Sequence, residues 1–577
     1  MNQFFPLTAG VMAAVLGLSA PVRAQLPSWQ WVATQTRTST GTSYAIAAAP
    51  DGAGNTVVAG HFYGTITLGS TTLTSTGPND DVFVGRVNSA GTWTQAVSGG
   101  GTASDFVKAV AVDGAGNVTV VGNFFGPQTA FGGTVLNQAP SSGTSRNDIF
   151  VARLSSAGVW TQAVRAGGPG VDEADDVALD ANGDAVVVGH FDSATAYFGA
   201  QALTNGAAFS STTYDGFVAR LSSNGTWTQA VRCGGPGSDF ADAVTLDPSG
   251  TACVAGRFSS DVAGFGTLTV ANSAPGAQTS DVFVARLNRA GTWLQAAAGG
   301  STGFDYATDV ALEANGAATV VGNFGGPTAR FGAQVLTNSD PGAGGTSSAD
   351  IYVARLSSSG VWTLAAAAGG PDNHDYAQAV AVDAAGNAAV AGYIRSAVAR
   401  FGATSLTNFR APSNPIGTTF SADLYVAHCT NAGTWGYVAQ AGSYRDDQAN
   451  AVLVAADGSV TVAGDIGLGT VAFGPISVVL NRSTGFVARL GSLATATRRP
   501  SLATVAVFPN PAHEAVALRW PANVEAHELL ILNALGREVR RLPLGARSTA
   551  ATVSLNDLPP GLYTVSVGAL RAKLLVD

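Results

Sequence analysis

Cysteine, histidine and methionine are nearly missing from this chain, with three, six and two among 577 residues. The cysteines, Cys233, Cys253 and Cys429, fit no metal-ligand spacing, which excludes zinc-ribbon and iron–sulfur chemistry and leaves them incidental to the fold. An oxidising compartment would still permit a Cys233–Cys253 bridge. So few histidines leave little material for acid–base or metal work. Charge is scarce as well: charged residues make up 12% of the chain, about half the usual share of a soluble domain. The net charge of −9 offers no basic footprint to nucleic acid or to an anionic membrane. Beyond the N-terminus no apolar run reaches the roughly 18 residues of a membrane span.

What is present is glycine, 72 residues of it, among Ser, Thr, Asn, Ala and Val. That is the composition of a turn-rich β protein. Residues 1–24 carry an apolar stretch, Leu7 to Ala20, followed by Val22-Arg23-Ala24 with small or modest residues at the −3 and −1 positions, and they read as a secretory signal peptide. No cysteine stands near the cleavage site to take a lipid anchor.

Tryptophan supplies the organising signal. Seven of the nine fall in one register, Trp31, Trp93, Trp160, Trp227, Trp293, Trp362 and Trp435, at spacings of 62 to 73 residues. A second marker keeps step, the aromatic of a D-x-F-V-A-R-L pattern: Phe83, Phe150, Phe217, Phe283, Tyr352, Tyr425 and Phe486. Two markers agree on seven units. The third unit shows four strand patterns, Asp176 to Asp180, Ala185 to Phe191, Gly216 to Leu221 and Thr226 to Val231, with an Asp180-Ala-Asn-Gly-Asp turn after the first. Between the second and third strands an insert carries its own anchor, Phe131, Phe198, Phe265, Phe331, Phe401 or Phe473, each followed by Gly, and so reads as an ordered extra hairpin.

A four-stranded sheet with two apolar faces must stack on neighbours. The units therefore predict a seven-bladed β-propeller over residues 25–491. The first Trp segment, Trp29 to Thr34, precedes any first strand, and the last unit lacks a Trp strand of its own. The Trp31 strand is thus expected to complete the seventh blade and close the ring. The pattern W-x-Q-x-x-x-G-G-x-x-x-D-(F/Y)-A-x-A-V, continuing to D-x-F-V-A-R-L, resembles the SBBP repeat of secreted bacterial β-propellers, which implies the fold but no common catalytic site.

Residues 492–504 are polar and read as a linker. From 505 to 577 short alternating strands with Asn-Ala-Leu-Gly and Pro-Pro-Gly turns predict a small Ig-like β-sandwich, so the chain is all-β throughout. Pro509, Asn510 and Pro511, then Gly536, Gly561, Tyr563 and Lys573, resemble in order and spacing the type A C-terminal sorting domain of the Bacteroidetes type IX secretion system. The resemblance implies a partner in that machinery and an address outside the cell or on its surface. It gives these residues a role in shaping turns and strands.

Two sets of residues stand out in the propeller. Asp105, Asp172, Asp239, Asp305, Asp375 and Asp447 follow the Gly-Gly loop after each Trp strand, with Ser43 in the first unit. A carboxylate there either fixes the crossover between blades or faces a ligand. His61 and His190 occupy one position of the second strand, where other units carry Asn123, Arg257, Asn323, Tyr393 and Asp465. Seven polar residues of five kinds in one frame read either as a ligand surface or as solvated strand ends. Asp180-Ala-Asn182-Gly-Asp184 resembles the start of a calcium loop, but Gly183 comes too early and no bidentate Glu follows, so no cofactor is expected. No nucleophile elbow, zinc motif or phosphate loop is present. The reading is a binding or adhesion protein for a glycan or an extracellular protein rather than an enzyme. One alternative is a polysaccharide-acting enzyme using carboxylates near the central channel, where Lys108, Asp175 and Asp242 project. The other is a structural surface module.

Overall fold

The computed structural model describes residues 27–577 apart from 38–40, 141–145, 207–212, 341–347, 372, 410–420, 493–504, 521–526, 535, 546–547 and 569. The signal-peptide reading and the linker from residue 493 onward lie outside the described residues. The described chain is all-β and falls into two compact units, one of them Leu26–Ser492. Among the described residues no helix is long and apolar enough to cross a membrane.

In the third repeat the strands run Asp172–Leu179, Ala185–Phe191, Asp215–Leu221 and Trp227–Cys233, antiparallel and in that order across the sheet. The innermost strand thus begins four residues before the Asp176 start expected from sequence. It takes in the crossover aspartate. Asp180 closes the first turn by accepting the N–H groups of Asn182 at 2.8 Å and Asp184 at 3.1 Å, while Gly183 takes φ 76°. The same four-stranded sheet occurs seven times among the described residues of this unit, in the arrangement of a β-propeller. Apolar side chains fill the space between successive sheets. One cluster joins Val58, Phe83 and Trp93 of the first sheet to Ala451, Ala463 and Val487 of the last.

The insert is an ordered hairpin. In the third repeat Thr195–Phe198 pairs with Gln201–Thr204, and Phe198 lies 4.7 Å from the Phe217 ring and 5.3 Å, edge-on, from Trp227. The three repeat markers of the sequence are therefore one aromatic triad. Tryptophan also ties sheet to sheet: the Trp160 Nε1 donates to the Ser98 carbonyl at 2.8 Å and Trp435 Nε1 to that of Ala367 at 2.8 Å, each in the outer strand of the preceding sheet.

The N-terminal segment Trp29–Thr34 pairs antiparallel with Thr484–Leu490 as the outer strand of the last sheet. Thr36–Arg37 then joins the first insert hairpin. The structure corrects one register. Trp29, not Trp31, is the equivalent of the other tryptophans: it lies opposite Leu490 as Trp227 lies opposite Leu221, and it meets Phe473 edge-on at 5.2 Å. Trp31 is half-buried and donates to the Ser89 carbonyl at 3.0 Å. The spacing argument chose wrongly because both tryptophans stand in one short strand and only the bulge between them decides which ring turns inward.

The C-terminal unit has two antiparallel sheets, Ala506–Phe508, Ala515–Arg519 and Ala550–Ser554 in one, and Glu538–Pro543, Glu528–Leu532, Gly561–Val567 and Leu570–Val576 in the other. One core, including Leu518, Trp520, Ile531, Val565 and Leu574, is shared by both.

Candidate functional site

The six crossover aspartates are buried, none more than 1% exposed. They hold loops and present nothing to a ligand. Asp172 accepts the Gly168 N–H at 2.6 Å and the Ser193 hydroxyl at 2.7 Å. Asp239 binds Gly235 and Ser260 in the same way, and Asp375 binds Gly370 and Ser396. Each faces a second buried aspartate, the one that opens the third strand. A Cβ placed on Gly167 would lie 2.9 Å from Asp148 Oδ1 and 3.1 Å from Asp172 Oδ2, so glycine is the residue that fits between the two carboxyls. The outer loops of this face are joined, since Gly167 pairs with Tyr197 of the insert hairpin and Gly300 with Arg330.

The innermost strands share a feature not read from the sequence. Each carries a β-bulge at one position, and the extra residues are Ile46, Lys108, Asp175, Asp242, Thr308, Gln378 and Asn450. All seven line one cavity of about 750 Å³, the central channel. A bulge re-aims a side chain, and here it turns one side chain per repeat into the channel. The signal was available: a glycine recurs in every second strand, and a Cβ on Gly189 would fall 2.0 Å from the Glu173 carbonyl oxygen. That glycine admits the bulge.

The charged bulge residues, Lys108, Asp175 and Asp242, stand on three successive repeats. Lys108 contacts Glu173 at 2.9 Å and Asp175 at 3.8 Å, while Asp175 bonds His190 Nδ1 at 2.6 Å. Burial raises the Asp242 pKa to about 6, with Arg257 at 3.5 Å opposing. At Asp175 burial acts in the same direction, but His190 and Lys108 outweigh it and the pKa is lowered. Asp176 and Asp309 use their carboxylates on backbone: Asp176 accepts the Val244 N–H and Asp309 the Val380 N–H, both at 2.7 Å and both from the next repeat.

Above the bulges, the residue after each crossover aspartate is aromatic in Tyr44, Phe106, Phe240, Tyr306 and Tyr376, and every one of these rings is half-buried. Across the strand pair stand the polar groups singled out from sequence, including His61 opposite Tyr44 and His190 opposite Glu173. The two histidines differ. His61 lies against Tyr44 at 5.1 Å and Phe106 at 4.9 Å, and burial with the Lys108 charge lowers its pKa to about 4. At His190 burial is outweighed by Asp175, which raises the pKa. The two histidines of one frame are thus shifted in opposite directions, His61 toward the neutral ring and His190 toward the imidazolium that pairs with Asp175.

The Asp180 turn is occupied by protein: besides its turn bonds, Asp180 forms an ion pair with Arg289 of the next repeat. The three cysteines are buried free thiols, so Cys233 and Cys253 are not bridged. In the C-terminal unit the two ends of the motif meet. Asn510 donates to the Lys573 carbonyl at 2.9 Å and accepts the Leu575 N–H at 2.8 Å. Tyr563 donates to the Pro559 carbonyl at 2.7 Å, and Gly536 turns at φ 76°. Pro509, Pro511 and Lys573 are exposed, as is Phe508 at 76%.

Residues 506–575 match the family described as the secretion system C-terminal sorting domain. The chain thus pairs a β-propeller with the sorting domain of the type IX secretion system and is a secreted or outer-surface protein. No curated protein matches the chain. Similar solved structures include the WD40 β-propeller domain of Doa1, 8% identical over 80% of this chain and 96% of that one with TM-score 0.37. Another is the WD40 domain of Neurospora crassa Pan2, 9% identical over 80% and 97% with TM-score 0.33. A third is PorZ, a surface component of the Porphyromonas gingivalis type IX secretion system, 11% identical over 91% and 85% with TM-score 0.17. Removal of residues 506–577 is expected to leave the propeller in the periplasm of a type IX-secreting host, as immunoblotting of cell fractions would reveal.

Proposed function

We propose that this chain is a surface or released glycan-binding protein, a seven-bladed propeller closed by its own N-terminal strand and carried out of the cell by an Ig-like sorting sandwich. The observation that carries this reading is the set of half-buried rings Tyr44, Phe106, Phe240, Tyr306 and Tyr376, each two residues before a bulge residue that lines a polar channel. Sugar rings present C–H faces that pack on aromatic faces and hydroxyls that need nearby donors and acceptors. This aromatic collar offers the first and the channel's Gln378, Asn450, Thr308 and Asp242 the second. A glycan array probed with the mature protein is expected to give saturable binding. Replacing Phe106 and Tyr376 together by Ala is expected to weaken it at least tenfold, about 1.4 kcal/mol. Binding that survives the double replacement would remove the collar from the site.

A second reading, polysaccharide hydrolysis, draws on the opposite pKa shifts of Asp175 and Asp242, since an acid and a base kept apart in pKa are what glycoside cleavage uses. Turnover of an array ligand, lost in Asp242→Asn, would establish it over simple binding.

A further inference from the structure

A pocket of about 730 Å³ opens between the fourth and fifth repeats, lined by Phe240, Arg257, Gln278, Phe304 and Tyr306 with Ser238 and Ser259. The repeat supplies its own controls, because the other units show what each position does when only the fold is at stake. Three departures from the repeat converge here.

The first is Arg257, the one arginine or lysine among the seven residues at its strand position. Its guanidinium lies 4.1 Å from the centre of the Phe240 ring and 5.0 Å from that of Tyr306. Among the described residues it forms a single 3.5 Å contact to Asp242 and no hydrogen bond. Two rings hold the plane in place while its donors remain unused. The second is Phe304, whose place just before the crossover aspartate is taken by Ser104, Val171 and Ser238 in the three preceding repeats. It is 54% exposed at the pocket wall. The third is Gln278, the only non-glycine residue with positive φ among the described residues, at 57°. A side chain there is held against its backbone preference, and such strain collects at ligand clamps.

We propose that this pocket is a specific site for an acidic saccharide, with the carboxylate of a uronic or similar sugar acid on Arg257 and the sugar ring against Phe304. The inference rests on the glycan reading and narrows it to a sugar class and a place. A planar guanidinium donates two parallel N–H···O bonds to a carboxylate, and stacking between rings lowers the ordering such a bond requires. Asp242 reaches the guanidinium through one 3.5 Å contact, which leaves most of its N–H donors for a ligand. Phe304 supplies the apolar platform, and Ser238, Ser259 and Gln278 surround it with groups fit for hydroxyls.

The test uses the full mature chain and calorimetric titration with tetrasaccharides of galacturonate, alginate, hyaluronan and heparosan, each beside its methyl ester. At least one free acid is expected to bind thirtyfold or more tighter than its ester. Arg257→Gln is expected to erase that difference while leaving the melting temperature within a degree or two, and Phe304→Ala to weaken acid and ester alike. Equal binding of acids and esters, or an unchanged preference in Arg257→Gln, overturns the proposal. So does an oligoglutamate peptide that binds as tightly as the best saccharide. If neutral array glycans bind through Phe106 and Tyr376 while all four acids fail, the acidic site falls and the collar stands. If no glycan binds at all, both fall.

Discussion

Between pH 8 and pH 5 the melting temperature of the propeller is expected to rise by about 5 °C or more, a direction opposite to that of most salt-bridged proteins. The cause is the set of buried aspartate pairs at the crossovers. Burial raises the pKa of Asp105 and Asp172 to about 7 and of Asp305 and Asp423 to about 8, and the facing carboxylate adds to each shift. Asp281, Asp350, Asp375 and Asp447 are raised to about 6 by burial.

A carboxyl whose pKa is raised on folding binds its proton more tightly in the folded chain. Its contribution is full below the unfolded value, near ~3.9, and is lost as pH climbs through the folded one. That window runs from about 4 to about 8. A single pK unit at each of six pairs amounts to about 8 kcal/mol. On the acid side Asp51, Asp113 and Asp247 act in reverse: burial is outweighed by turn hydrogen bonds, their pKa is lowered, and their contribution is lost as pH falls below about 4. Stability should therefore peak near pH ~5.

The pairs are not equal. Arg165 lies 2.7 Å from Asp148 and Arg232 lies 2.8 Å from Asp215, which relieves those two, whereas no such arginine contacts Asp281 or Asp350 among the described residues. The double variant Asp281→Asn, Asp350→Asn should flatten the profile markedly. Differential scanning calorimetry from pH 4 to pH 8.5 decides the matter, and a melting temperature that stays level or climbs toward pH 8 would show that the pairs are neutralised by other means.

Deleting residues 25–36 should cost the propeller its cooperative melting at ordinary temperature. The segment supplies the outer strand of the last sheet, and its Thr34 carbonyl accepts the Trp93 Nε1 of the first sheet at 3.2 Å. Without it Thr484–Leu490 becomes an open edge, a template for pairing with other chains, so aggregation should accompany the loss. The inner contacts, Ala45 N–H to Asp465 at 2.9 Å and Asn450 to the Ala45 carbonyl at 3.0 Å, remain but join only the strands at the channel. Within the segment the two tryptophans separate cleanly. Trp29→Ala removes a ring only 6% exposed and should cost about 3–5 kcal/mol, while Trp31→Ala removes a half-buried one and should cost less. The reverse order in thermal melts would restore Trp31 as the repeat residue.

The markers that revealed the fold were large and regular. Trp227, Phe217 and Phe198 recur because all three rings of each triad must be present for an outer strand and an insert to pack, and that requirement repeats along the chain. The crossover aspartates were equally visible, since each binds a loop within a few residues of itself. The partners of those aspartates were not: Asp148 and Asp172 belong to different repeats, and nothing local announces that they face one another.

The site was legible only in fragments. Lys108, Asp175 and Asp242 were placed at the channel, and His61 and His190 in a common frame, but the bulge that aims the first three is signalled only by the glycine opposite it, as at Gly189. The aromatic collar stood in the repeat pattern only as the Phe or Tyr that follows the crossover aspartate. Only its half-exposure distinguishes it.

By itself, the sequence determined the repeat, its strand order, the segment that closes the last sheet and the sorting tail, because each depends on residues near in the chain or on a pattern that repeats. The tertiary structure decided what repetition cannot encode: which of Trp29 and Trp31 turns inward, which carboxyls share a buried space, and where Arg257, Gln278 and Phe304 meet. Those outcomes depend on contacts across sheets, where a single bulge or a missing Cβ redirects a side chain by more than the pattern of its own strand can record.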